Sequence, residues 1–274
     1  ITLVPSARER LSLHSKIDNG MPIYPAGQDG NQLTAPLPWI IETETLQNKS
    51  GRHLDIQPGL VKTQPRANDL LLISEDNLLE AAGLIGNCSG MVLDLREMPA
   101  INDAEIEAIL VSLYSRMSDD SLVFLKDSVS RVEHLFRLVV DLDLDGALVD
   151  VASVGGSLAP AALPRIGLVS QAMNIPKQGR RILLELDETP SAEDLIIAIS
   201  AGCTGVVAPP PSDDVESGLI WLDGTIKGWM LELGISELNQ LTRRNLRALD
   251  HDTAAISGLR LIGYDRPLPM WLKN

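Results

Sequence analysis

From Asp69 onward the chain alternates short apolar runs with segments whose apolar residues recur at helical spacing. Leu70 to Ile73, Met91 to Leu95, Leu122 to Leu125, Ala147 to Val149, Arg181 to Leu186 and Gly205 to Ala208 show no helical period. They read as buried parallel strands. Between them, Ser74 caps a helix that runs to Gly86, and Asn102 or Asp103 opens one. In the latter, Ile106, Ile109, Leu110, Leu113 and Met117 fall on one face. Further helices start at Ser128, at Pro160, and at Ser191, where Asp194 three residues on completes a capping box. Six strands, most followed by a helix, predict a parallel sheet with helical crossovers. Six clear units, with one or two more hidden upstream, fit a TIM-like (β/α) barrel, complete or degenerate, better than an open doubly wound sheet.

Residues 1–68 break the pattern. Seven of the 17 prolines lie there, and only Trp39 to Ile41 and Leu54 to Ile56 suggest strands. The segment reads as an extended proline-rich arm packed on a barrel core spanning 69–216. Beyond the triple proline Pro209-Pro210-Pro211, Leu219, Leu222, Ile226, Trp229, Met230 and Leu233 line a helix that Gly234 ends. Short capped helices follow at Ser236 and Thr242, making 217–274 a helical tail; Trp229 and Trp271 read as core or docking residues.

Composition narrows the function classes. Of the residues, 45% are hydrophobic and 22% charged, the balance of an ordinary globular chain. A net charge of −14 argues against nucleic acid or an anionic membrane as partner. Aromatics at 3% leave no stacking platform. No run reaches the length of a membrane span and no signal peptide is visible, so the expectation is a cytoplasmic protein without direct membrane insertion. Cys88 and Cys203 lack a CxxC partner and read as buried free thiols in a reducing compartment, not ligands of zinc or iron–sulfur. His14, His53, His134 and His251 share no spacing, and neither a Ser–His–Asp set nor a P-loop stands out.

The strand ends carry the candidate chemistry. Asp94, Lys126, Asp150, Asp187 and Glu188 fall at or just beyond the carboxyl ends of successive strands, the face where barrel enzymes place their catalytic groups. Asp94, Asp150 and Asp187 could hold Mg²⁺ through oxygen ligands, with Lys126 as base or electrostatic partner. The plainer reading is solvated acids and an internal salt bridge.

The stretch DGALVDVASVGGSLAPAALPRIG, Asp145 to Gly167, is a strand, a loop with Gly155 and Gly156, and a helix start at Pro160. It resembles the "aDGivIDG…GGTGAAP" segment of the flavin-binding barrel of glutamate synthases, with Asp145, Gly146, Asp150, Gly155 and Pro160 on matching positions. The order of INDAEIEAILVSLYSRM, SLVFLK, SAEDLIIAISAGCTGVVA and the tail LGISELNQLTRRNLRALDHDTAAISGLRL is similar to the same family's series. Together the matches cover about Ala100 to Gly263.

The resemblance implies a TIM barrel with an FMN site in which Lys126 lies by the flavin ring. It also implies where that site has degenerated. In the family, loop glycines and a glycine closing the next strand bring backbone N–H groups to the FMN phosphate. Asp187, Glu188 and Pro209 stand at those positions. Pro209 has no N–H, and each carboxylate about 4 Å from a phosphate costs on the order of 1–4 kcal/mol. The family's iron–sulfur cysteines and amino-terminal nucleophilic cysteine have no counterpart. The expectation is a glutamate-synthase-like pseudoenzyme with no cofactor, serving as a structural, regulatory or interaction subunit with a protein partner or second copy. The alternative is a residual FMN-dependent oxidoreductase, or a Mg-assisted enzyme working at the acidic mouth.

Overall fold

The computed structural model describes residues 1–5, 36–47, 49–98, 102–151 and 159–263. Eight parallel strands close into a barrel, each hydrogen-bonded to the next in chain order and the last to the first. They are β2 (Trp39–Glu42), β3 (Gly59–Val61), β4 (Leu70–Ile73), β5 (Gly90–Asp94), β6 (Leu122–Ser128), β7 (Gly146–Asp150), β8 (Arg181–Glu185) and β9 (Gly205–Ala208). A short β1 (Thr2–Leu3) pairs antiparallel with β10 (Leu246–Arg247) outside the barrel. The helices are α1 (Leu78–Leu84), α2 (Asp103–Tyr114), α3 (Val132–Asp141), α4 (Ala159–Ala172), α5 (Ala192–Ala201), α6 (Val215–Leu233) and α7 (His251–Ser257). Among the described residues no helix is long and apolar enough to cross a membrane.

All six strands read from the apolar runs are present, and the start signals hold. Asn102 Oδ1 accepts from Glu105 N at 3.0 Å while Glu105 Oε2 accepts from Asn102 N at 2.9 Å. Ser191 and Asp194 make the same reciprocal pair at the start of α5. Pro160 lies in the first turn of α4, and Gly234 ends α6 in the left-handed region at φ 72°. Cys88 and Cys203 are buried free thiols, and burial pushes Cys203 up to about 12.

The segment before Asp69 supplies the two missing barrel strands, so the barrel begins at Trp39. The strand expected at Leu54 to Ile56 is instead a coiled turn: Asp55 N donates to Gly51 O at 2.7 Å and Gln57 N to His53 O at 3.0 Å. The real strand is Gly59–Val61, too short to show a period. It is fixed by Asp69, fully buried, whose Oδ1 accepts from Gly59 N at 2.8 Å. Asp69 Oδ2 accepts from Arg66 N, also at 2.8 Å, and the carboxylate holds the Arg66 guanidinium. Residues 6–35, Gly155, Gly156 and Trp271 lie outside the described residues.

Alternation along the strands divides the core in two. One set packs between barrel and helices, from Trp39 and Leu71 through Leu125, Val149 and Val206 to Ile226 and Met230 of α6. The opposite set fills the barrel: Ile40, Leu60, Leu70, Leu72, Val92, Phe124, Leu148, Leu183 and Val207. Gly146 makes room for that plug. A Cβ there would come within 2.9 Å of the Phe124 ring and 2.2 Å of Arg181 O.

Candidate functional site at the barrel mouth

Two residues beyond the apolar plug, on the same inward face, the strands change character. Ile40 is followed by Glu42, Val92 by Asp94, Phe124 by Lys126, Leu148 by Asp150 and Leu183 by Glu185. Period-two geometry puts these charged groups on the barrel axis at its carboxyl end. Register then sets neighbours: Asp94 is opposite Lys126, and Asp150 opposite Glu185.

The charges meet. Lys126, only 2% exposed, donates from Nζ to Glu185 Oε1 and lies 3.2 Å from Asp94 Oδ2. Arg96, just past the end of β5, clasps Asp94 with Nη2–Oδ2 at 2.7 Å and Nε–Oδ1 at 3.0 Å. Its Nη1 reaches across to Asp150 Oδ2. The cluster therefore joins three carboxylates and two cations. All three acids are buried, whereas the Arg96 side chain is 26% exposed and covers the group.

Desolvation and pairing act differently on the acids. Burial alone would raise Asp94, but the Arg96 hydrogen bond and the Lys126 and Arg96 charges outweigh it and hold it below the usual carboxylate range. For Glu185 burial wins. It pushes the carboxyl up to about 7, with Glu42 adding to the rise and Lys126 and Arg96 opposing it. Glu185 Oε2 accepts no hydrogen bond among the described residues and lies 3.9 Å from Arg96 Nη1.

The three acids named as metal ligands do not share one site among the described residues. Asp94 and Asp150 are brought together, but an arginine occupies the position a cation would take. Asp187 is elsewhere: with Glu188, Thr189, Pro190 and Asp194 it lines an open cavity of about 400 Å³ beside Leu163 of α4. No group of three or more His, Cys, Asp or Glu side chains suited to a metal exists among the described residues. Pro209 lines a third region, with Pro210, Pro211, Asp213 and Lys49.

Of the expected site residues, Lys126, Asp94 and Asp150 come together; Asp187, Glu188 and Pro209 do not join them. Arg96 and Glu185 were missed as members. Glu185 carried a signal, being two residues past inward Leu183, while Arg96 lies beyond its strand and no alternation reaches it.

No family model and no curated protein matches the chain. Among solved structures, an IMP dehydrogenase/GMP reductase-like protein from Corynebacterium glutamicum is similar over 64% of this chain and 59% of its own, at 14% identity and a TM-score of 0.45. This chain thus spans about three fifths of that relative. An aldolase is similar over 60% of this chain and 75% of its own, at 8% identity and a TM-score of 0.43. Likeness at this level concerns the fold alone; the TIM-barrel assignment rests on the closed strand order itself.

Proposed function

We propose that the chain is a divergent glutamate-synthase-like barrel whose flavin site has degenerated and which serves as a non-catalytic subunit of a larger assembly. The observation that carries this reading is the state of Lys126. The resemblance sets this lysine beside the flavin ring, yet its ammonium is buried and held by Glu185 and Asp94. A ligand at the mouth would have to break those pairs. Asp187 and Glu188, at the positions of the phosphate loop, give an acidic cavity with Asp194 that repels a phosphate. Assembly through the tail is supported by Ile220 and Trp221, which α6 leaves exposed side by side. The two free thiols fit a cytoplasmic setting.

Titration with FMN, followed by flavin fluorescence and equilibrium dialysis, tests the proposal. The protein should stay colourless and leave FMN free. Stoichiometric uptake with a bound-flavin spectrum would overturn the non-catalytic reading. One observation favours a second reading, an acid–base enzyme at the mouth. Glu185, raised to about 7 and bonded to Lys126, is poised for proton transfer at the edge where barrels do chemistry.

A further inference from the structure

On the flank of the barrel, away from the mouth cluster, four arginines line one open hollow of about 180 Å³. They are Arg243, Arg244, Arg247 and Arg260, set around Leu246, Gly258 and Leu259. The chain carries 37 acidic and 23 basic side chains, so a hollow lined by four arginines runs against its overall charge. Seven other arginines pair with carboxylates, whereas among the described residues these four make no ion pair and no acid lines the hollow.

The scaffold beneath them is ordered. Thr242 N donates to Asn245 Oδ1 at 3.0 Å, and buried Asn245 donates from Nδ2 to Val4 O at 3.1 Å, tying the loop to β1. Arg243 Nη2 donates to Ser257 O and so caps the carboxyl end of α7, offsetting the negative pole that end would present. Arg247 Nη1 donates to Arg244 O and Leu246 O, both at 2.8 Å. These bonds orient two guanidinium groups while leaving most of their five N–H donors unused. Arg244 and Arg260 are exposed, and neither guanidinium makes a side-chain hydrogen bond among the described residues. Four like charges gathered from two segments, on either side of α7, repel one another. An anion with several oxygens relieves that repulsion and matches the planar donor forks.

We infer that this hollow is a binding site for a small phosphorylated ligand, held by Arg244 and Arg260 from the rim and by Arg243 and Arg247 from the walls. The volume suits one or two phosphate groups. The site is independent of the barrel mouth and of the fate of flavin there.

The test uses inorganic pyrophosphate as probe. Phosphorus NMR line broadening and the melting temperature of the 274-residue chain are followed against sodium chloride at matched ionic strength. Pyrophosphate should broaden and stabilise where chloride does not. The Arg244→Ala/Arg260→Ala variant, altered only at exposed side chains, should keep its unliganded melting temperature and bind at least about tenfold more weakly. An equal response to chloride, or unchanged affinity in the variant, would overturn the site. So would recruitment to vesicles of anionic phospholipid with no response to soluble pyrophosphate, which would make the patch a membrane contact.

Discussion

Lys126 and Glu185, 59 residues apart and on strands separated by β7, share a hydrogen bond inside the barrel mouth. The bond exists because both lie one inward step past the apolar plug, where desolvation makes an unpaired charge costly. Arg96 then completes the group from above, so that two cations face three carboxylates. The mouth is closed by its own charges.

Removing the central cation should be severe. Lys126→Met leaves Asp94 and Glu185 buried with only Arg96 to offset them, and about 3–5 kcal/mol of stability should be lost in urea denaturation. Glu185→Gln should cost less, because the carboxyl is already half protonated near neutrality. Equal losses for the two variants would contradict this account of the cluster.

Stability should fall with rising pH across the mouth's titration. Glu185 has an ordinary value of 4.5 when unfolded and about 7 when folded, so between these pH values the native state keeps a proton the unfolded state has released. Its contribution is complete below pH 4.5 and gone above pH 7, a difference on the order of 3 kcal/mol. Asp94 works in the opposite sense, present above its unfolded value of 3.8 and lost only as pH falls through its lowered native value. Denaturation curves between pH 5 and about 8 should show the decline in the native protein and a flatter profile in Glu185→Gln.

Asp69 should matter more than its place before β4 suggests. Asp69→Ala leaves the buried Gly59 N–H without its acceptor and removes the carboxylate that pairs with the half-buried Arg66 guanidinium. A loss of about 3 kcal/mol is expected, with faster amide exchange along Gly59–Val61 than elsewhere in the barrel. Uniform exchange across all eight strands would argue against β3 depending on this carboxylate.

Association should run through α6. Trp221 is 61% exposed beside Ile220, and Trp221→Lys should reduce the mass seen by light scattering at micromolar concentration, leaving the fold intact. If native and variant chains scatter alike as monomers and recover no partner from the native source, the subunit reading fails.

The sequence by itself determined most of the barrel. Apolar runs too short for helices, punctuated by Ser74, Asn102 and Ser191 caps, fix the order of strand and helix because each signal is local and acts within a few residues. Buried thiols and the ends of α5 and α6 were legible for the same reason. What only the tertiary structure decided is non-local. β3 has three residues, no period of its own, and exists through Asp69 and the strands on either side. The mouth was half legible: strand ends announced Lys126, Asp94 and Asp150, but not that Arg96 would take the place offered to a metal, nor that Asp187 would face another cavity. Closure and register set those distances between residues 54 to 89 positions apart, and no pattern along the chain encodes them.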